Sequence, residues 1–301
     1  MIYLILFLGF NAVAPIVIHF WGQGINHDVL IFISAITAVI SFHLLNFGQN
    51  KASYQRIMQD KGIWGGIARV IGTTAFMWVA GFIIPIVFTP FIFVFSYLGW
   101  PSFFGAVVMA KNTKKPLYFI QAALIIITFI LFYVIAFNSY SGLKSLLGVV
   151  ITILTGFSLY LYLRSSKGLN LLGVNSRQIL AVRYWLLLLL PLILISYKHE
   201  FNLITPVILL KGIIIGLITL VLPLYFGQLC IVRFGSEKFS LAMGFTPILT
   251  FLLQTMTMNA AFVQVAIALL LALAIALPML AHYLSASLVA KKQARFAGSS
   301  I

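Results

Sequence analysis

Residues 207–223 read VILLKGIIIGLITLVLP, an apolar run interrupted by one ammonium group, Lys211. Apolar and polar residues do not alternate here, so the run is not a half-buried strand. As a helix it crosses most of a hydrocarbon layer about 30 Å thick. Comparable apolar stretches recur along the whole 301-residue chain. Composition agrees, because 62% of residues are hydrophobic and 8% charged, against about 45–50% and about 25% in a soluble domain. So few charges cannot coat a water-facing surface. Backbone groups in lipid must be satisfied within a helix or a closed barrel, and strand-like alternation is missing. The chain reads as an all-α polytopic membrane protein.

A net charge of +15 would suggest nucleic acid on a soluble protein, but the placement of the cations argues for topology signals and against a nucleic-acid partner. The single cysteine, Cys230, permits no intrachain disulfide and matches no metal spacing. An HExxH pair and an aspartate-rich magnesium motif are both absent from the sequence, so no metal, cofactor or enzymatic activity is expected. The opening MIYLILFLGF lacks a basic n-region and a small-residue cleavage site, and is read as a first span.

Clusters of Lys, Arg, Asn, Gln and Gly divide the chain into ten spans: 2–20, 28–46, 65–83, 89–109, 117–137, 143–163, 178–197, 204–227, 236–256 and 261–287. In IIPIVFTPF, Pro85 and Pro90 bracket the one turn inside the long run 65–109. Loop cations then orient the spans. Lys51, Arg56, Lys61, Lys111, Lys114, Lys115, Arg164, Lys167, Arg177, Arg233, Lys238, Lys291, Lys292 and Arg295 fall on one side, against Lys144 and Lys198 on the other. That asymmetry predicts both termini in the cytoplasm.

Ten spans suggest two halves, 1–140 and 141–301, the second ending in a short basic tail. From Pro101, PSFFGAVVMAKNTKKPLYFIQAALIIITFIL matches PILTFLLQTMTMNAAFVQVAIALLLALAI from Pro247 in its proline, polar break, aromatic and glutamine. Five spans per half is an odd number, so the halves insert with opposite topology, as inverted repeats do. On these stretches the chain resembles the drug/metabolite transporter superfamily, specifically its EamA-type ten-span members. SRQILAVRYWLLLLLPLIL, with Arg183, looks like that family's second helix. GSEKFSLAMGFTPILTFLL, with Pro247, is similar to its fourth, and AAFVQVAIALLLALAIAL resembles its fifth. Ala110 and Thr257 stand near where an acidic residue commonly ends the family's fourth helix, and the second span of the first half has no arginine. The resemblance implies a central cavity between the halves, lined by the first, third and fourth spans of each.

The four carboxylates, Asp28, Asp60, Glu200 and Glu237, all lie at span ends or in loops, so a buried acid relay for protons is not expected. Three cations lie inside spans. Arg183 and Arg69 are close enough to a cytoplasmic end to snorkel. Lys211 lies roughly 10 Å deep from the other side, beyond comfortable reach for its stem, and is expected to face the cavity. Aligning Pro85 with Pro223 places Lys211 opposite Thr73, one turn from Arg69. Gly212 and Gly216 form a G-x-x-x-G that allows close helix packing. Thr246, Thr250 and Gln254 recur at i, i+4 and i+8 on one face. Asn11 and His19 share a face with Pro15, Thr155 belongs to a looser stripe with Thr152 and Tyr162, and Trp78 and Trp100 offer stacking surfaces. The expected function is secondary transport, export or exchange of a small polar metabolite such as an amino acid or organic anion, across a bacterial inner membrane, with homodimerisation left open. The competing readings are a membrane-embedded enzyme on lipid-linked substrates and a non-transporting scaffold.

Overall fold

The computed structural model describes residues 2–47, 60–88, 90–136, 142–257, 269–270 and 273–274, and no strand occurs among them. The helices are α1 (Ile2–Gly22), α2 (His27–Leu45), α3 (Lys61–Val87), α4 (Pro90–Thr113), α5 (Pro116–Ala136), α6 (Gly142–Leu171), α7 (Ser176–Val182), α8 (Trp185–Lys198), α9 (Pro206–Gly216), α10 (Leu222–Phe234), α11 (Ser236–Met243) and α12 (Thr246–Thr257). Eight segments are long and apolar enough to span a bilayer: α1 to α6, then Ser176–Lys198 and Pro206–Phe234. The chain is a polytopic α-helical membrane protein. The segment expected as the ninth span, 236–256, is divided into α11 and α12, and of these Thr246–Met256 is a shorter apolar helix. The expected tenth span, 261–287, lies outside the described residues except for 269–270 and 273–274, which are helical. The basic tail also lies outside them.

Polar residues at the breaks set the helix starts by accepting orphan backbone N–H groups. Asn26 accepts from the N–H of Asp28 and Val29 at α2, and Asp60 accepts from Gly62 and Ile63 at α3. Asn175 and Gln178 form a reciprocal capping box at α7. Thr205 precedes Pro206 at α9. The expected turn between Pro85 and Pro90 is present, since α3 ends at Val87 and α4 starts on Pro90. α6 runs to Leu171, a turn or two past the expected end, because the polar stretch after Tyr162 continues the helix beyond the apolar run.

Three of the later spans, each expected as one helix, are interrupted. α7 and α8 are separated at Arg183–Tyr184, and α11 and α12 at Gly244–Phe245. Between α9 and α10 the backbone widens into a π-helical turn, Leu217–Val221. Pro223 explains that turn: its ring would collide with the carbonyl of Thr219 in a regular helix, and the wider turn relieves the clash.

α4 is the inner pillar, with 78% of its apolar window buried, whereas α5 has 33% and lies at the periphery. α6 packs on α3 and α4, while α1 packs on α10 and α12; α2 packs on α8 and α9, and α4 on α11 and α12. Close approaches depend on glycine. A Cβ at Gly156 of α6 would lie 2.3 Å from Trp100 Cβ and 2.9 Å from the Ser96 carbonyl of α4. Gly212 and Gly216 bring α9 against Ile33 and Ser34 of α2, which is the packing role expected of the G-x-x-x-G. At one end of the bundle, Lys198 pairs with Asp28 at 2.6 Å, and Asn26 donates to Glu200 at 3.1 Å.

Candidate functional site

Arg183 does not snorkel. It sits at the break between α7 and α8 with no solvent exposure, 0%, among the largest fully buried side chains. A span-embedded arginine costs about 2.5–3.5 kcal/mol on insertion scales, so its surroundings have to offset that. Its Nη1 donates to the Tyr162 hydroxyl of α6 at 2.7 Å. The same hydroxyl donates to Gln228 Oε1 of α10 at 2.7 Å. The guanidinium carbon lies 3.9 Å from the centroid of the Tyr162 ring and 5.0 Å from that of Tyr184, within cation–π range.

Aromatic rings complete the enclosure. Tyr184 stacks on Phe42 of α2 at 5.9 Å. Trp78 of α3 and Tyr97 of α4 meet at 6.2 Å, and Tyr97 stacks on Phe93 at 4.9 Å. Tyr97 and Tyr162 border the same small cavity. Side chains from six spans thus form one cluster around the Arg183–Tyr162 pair.

Two of its donors are unused. Arg183 Nε and Nη2 are buried without a hydrogen-bond partner, as is Gln228 Nε2. Nε and Nη2 form one edge of the guanidinium, a pair of parallel N–H groups that match the two oxygens of a carboxylate or phosphate. The described carboxylates are engaged elsewhere: Asp28 with Lys198, Glu200 with Asn26, Asp60 with the start of α3. Beside the Tyr162–Gln228 link is a cavity of about 10 Å³, also bordered by Phe7, Tyr97 and Phe239. That is room for about one water, so the centre is closed around its polar atoms. Tyr162→Phe strips the partner from Arg183 Nη1 and from Gln228 Oε1 together. Leaving both unpaired should lower stability by about 1–3 kcal/mol, read as a drop in melting temperature of the purified protein.

The other sequence-selected residues are dispersed. Lys211 is exposed and borders none of the cavities described. Nearly all of the first turn and a half of α9, Pro206 to Lys211, projects past its neighbours, and the helix sinks against α2 only at Gly212. Lys211 thus stands exposed and apart from the Arg183 centre. Arg69 is also exposed, and Thr73 bonds back to the Arg69 carbonyl at 2.6 Å. Thr246, Thr250 and Gln254 do share a buried face. Thr250 donates to the Thr246 carbonyl, however, and Gln254 Oε1 accepts the otherwise orphan N–H of Phe91 at the start of α4. Asn11 donates back to Phe7, and Thr155 to Ile151. His19 Nδ1–H donates to the Pro85 carbonyl at 2.7 Å, tying α1 to α3. Trp100 donates to Tyr133 and stacks on Phe129 in the α4–α5–α6 packing. Of the residues singled out from sequence, Tyr162 and Trp78 belong to the arginine's enclosure. Tyr97, Tyr184 and Gln228 were not selected; a mid-span glutamine in LPLYFGQLCIV was the one available signal.

The fold and this centre define a multispan helical membrane protein with a polar, cationic interior. No family model matches the chain, and no curated protein matches it. A solved chain, described only as the crystal structure of a protein, superposes over 92% of this chain and 96% of its own, with a TM-score of 0.66 and 14% identity. At that identity the likeness concerns the fold.

Proposed function

We propose that the chain is a secondary transporter of the drug/metabolite type, an exporter or exchanger in a bacterial inner membrane. It would be built from ten spans in two inverted repeats of five, with both termini cytoplasmic. Its cargo is a small organic anion or zwitterion such as an amino acid. The observation carrying this reading is the unused donor edge of Arg183, a buried fork with no described protein carboxylate to fill it. An anionic group on the cargo supplies the missing partner, and Gln228 Nε2 adds a third donor.

The packing supports the two-half reading. Counting spans in order, the first lies on the eighth and ninth, and the sixth lies on the third and fourth. The second pairs with the seventh, and the fourth with the ninth. Exchanging each span with the one five places on leaves this pattern unchanged, as a two-fold relation between halves requires. The centre then sits where both halves meet. Arg183 is fully buried and the small cavity beside the Tyr162–Gln228 link does not reach it, so the centre must open to admit cargo. The broken helices at Arg183–Tyr184, 217–221 and 244–245 are the places where such bending costs least.

Reconstituted protein should give saturable, time-dependent uptake of radiolabelled amino acids or dicarboxylates into proteoliposomes, above protein-free vesicles. Background uptake of every solute, together with measurable turnover of a lipid-linked substrate, would favour the enzyme. Lys211→Gln should leave uptake within about twofold, because Lys211 lies outside the centre; a loss above about tenfold, equivalent to 1.4 kcal/mol, would return the lysine to the pathway.

A further inference from the structure

A second basic feature lies between α3 and α6, away from Arg183. A cleft of about 430 Å³ is bordered by Gly62, Gly65, Arg69, Arg164, Ser165 and Gly168, among others. Its floor is where the helices touch: a Cβ at Gly66 would lie 2.7 Å from Leu169 Cδ2. Its walls are open because Gly65 and Gly168 carry no side chain, and a Cβ at either would meet nothing within 4 Å. The helices run antiparallel. Arg69 is eight residues from the start of α3 and Arg164 seven from the end of α6, so both guanidinium stems leave the backbone roughly 10–12 Å from the helix ends. Both side chains are exposed. Neither makes a hydrogen bond or ion pair to a described residue. At the rim, the carboxylate of Asp60 is occupied by the Gly62 and Ile63 N–H groups.

The surface leading away from the cleft is apolar. On α3, Gly65, Ala68, Gly72 and Phe76 are exposed at helical spacing, and on α6 so are Phe157, Leu154 and Ile151. This seam runs from the two arginines to an apolar groove of about 490 Å³ that includes Phe76, Val79, Leu147 and Ile151. Trp64, 42% exposed on α3, marks the headgroup level, where tryptophan concentrates. A soluble anion would use the arginines and ignore the seam. A lipid uses both.

We propose that the α3–α6 cleft binds the phosphate of an anionic glycerophospholipid. Arg69 and Arg164 hold the headgroup, and an acyl chain lies along the seam. Arginine suits this task because its planar fork pairs with two phosphate oxygens at once, and basic pockets between helices are the usual seat of such headgroups.

The test is the melting temperature of the full chain in detergent, with added phosphatidylglycerol, phosphatidylcholine or inorganic phosphate. Phosphatidylglycerol should raise it by at least ~2 °C, with little effect from the other two. Arg69→Gln/Arg164→Gln should lose that increment while melting at the wild-type temperature without lipid. Gly65→Leu, which fills the cleft and keeps both charges, should reduce the increment as well. An equal rise with phosphatidylcholine would mean general lipid solvation and overturn the site. A full effect from phosphate alone would reassign it to a soluble anion. An undiminished increment in the double variant would remove the arginines from it.

Discussion

Arg183→Met should abolish uptake while leaving the protein folded and close to wild-type stability. The stability side follows from terms that offset one another. Removing the guanidinium relieves about 2.5–3.5 kcal/mol of insertion cost. It also loses a charge-assisted hydrogen bond of about 1.5–3 kcal/mol and a desolvated cation–π contact of about 2 kcal/mol. The thioether fills most of the vacated volume, and Tyr162 keeps its bond to Gln228 Oε1. The functional side is one-directional. Two charge-assisted bonds to the cargo, worth roughly 3–6 kcal/mol together, correspond to a loss of about 10²- to 10⁴-fold in transport efficiency. Arg183→Lys keeps the charge but not the parallel donors, and should recover no more than about a tenth of wild-type activity. A structural arginine would behave in the opposite way, with melting temperature and uptake falling together.

Gly156→Ala is expected to be among the most destabilising single substitutions in the chain. A methyl group there would stand 2.3 Å from Trp100 Cβ and 2.9 Å from a backbone oxygen of α4. Neither can move away cheaply, because Trp100 is held by its bond to Tyr133 and its stacking on Phe129. α6 would have to separate from α4, and overpacking of this kind costs about 3 kcal/mol or more. That corresponds to a fall in melting temperature on the order of 6–12 °C for a chain of this size. Gly9→Ala is the matched control, because a Cβ there meets nothing within 4 Å. It should gain about 0.5–1 kcal/mol from reduced backbone freedom. Similar melting temperatures for the two variants would mean that α4 and α6 do not approach as closely as described.

The eight long apolar spans were readable because they depend on local chemistry. Apolar runs set the helices, and Asn26, Asp60, Asn175 and Thr205 set their starts. The interruptions were harder to read. Pro223 pointed to a disturbance, but sequence could not say that it would appear one turn earlier, as a π-helical turn. The break at Arg183–Tyr184 carries no glycine or proline signal at all. The site was less legible still, because depth along a helix does not reveal which way a side chain points. Arg183 was near enough to a span end to reach water, yet its face of the helix is packed against α6 and α10. Lys211 was nominally deeper, yet α9 projects past its neighbours at that level. Gln254 looked like a ligand group and is instead the partner of a backbone N–H on another helix. That partner lies 163 residues away in sequence, a pairing no local pattern encodes.

The central claim is that the free edge of Arg183 recognises an anionic group on the cargo. The most direct test compares inhibition of radiolabelled amino acid or dicarboxylate uptake by the unlabelled acid and by its primary amide, in the same proteoliposomes. The amide keeps size and shape but loses the charge. The account predicts that the acid competes at least about tenfold better, consistent with one charge-assisted bond, and that the residual uptake of Arg183→Lys shows a smaller preference, because lysine keeps the charge but lacks the parallel donor pair. Equal competition by acid and amide in the wild type, or an undiminished preference in Arg183→Lys, would contradict it.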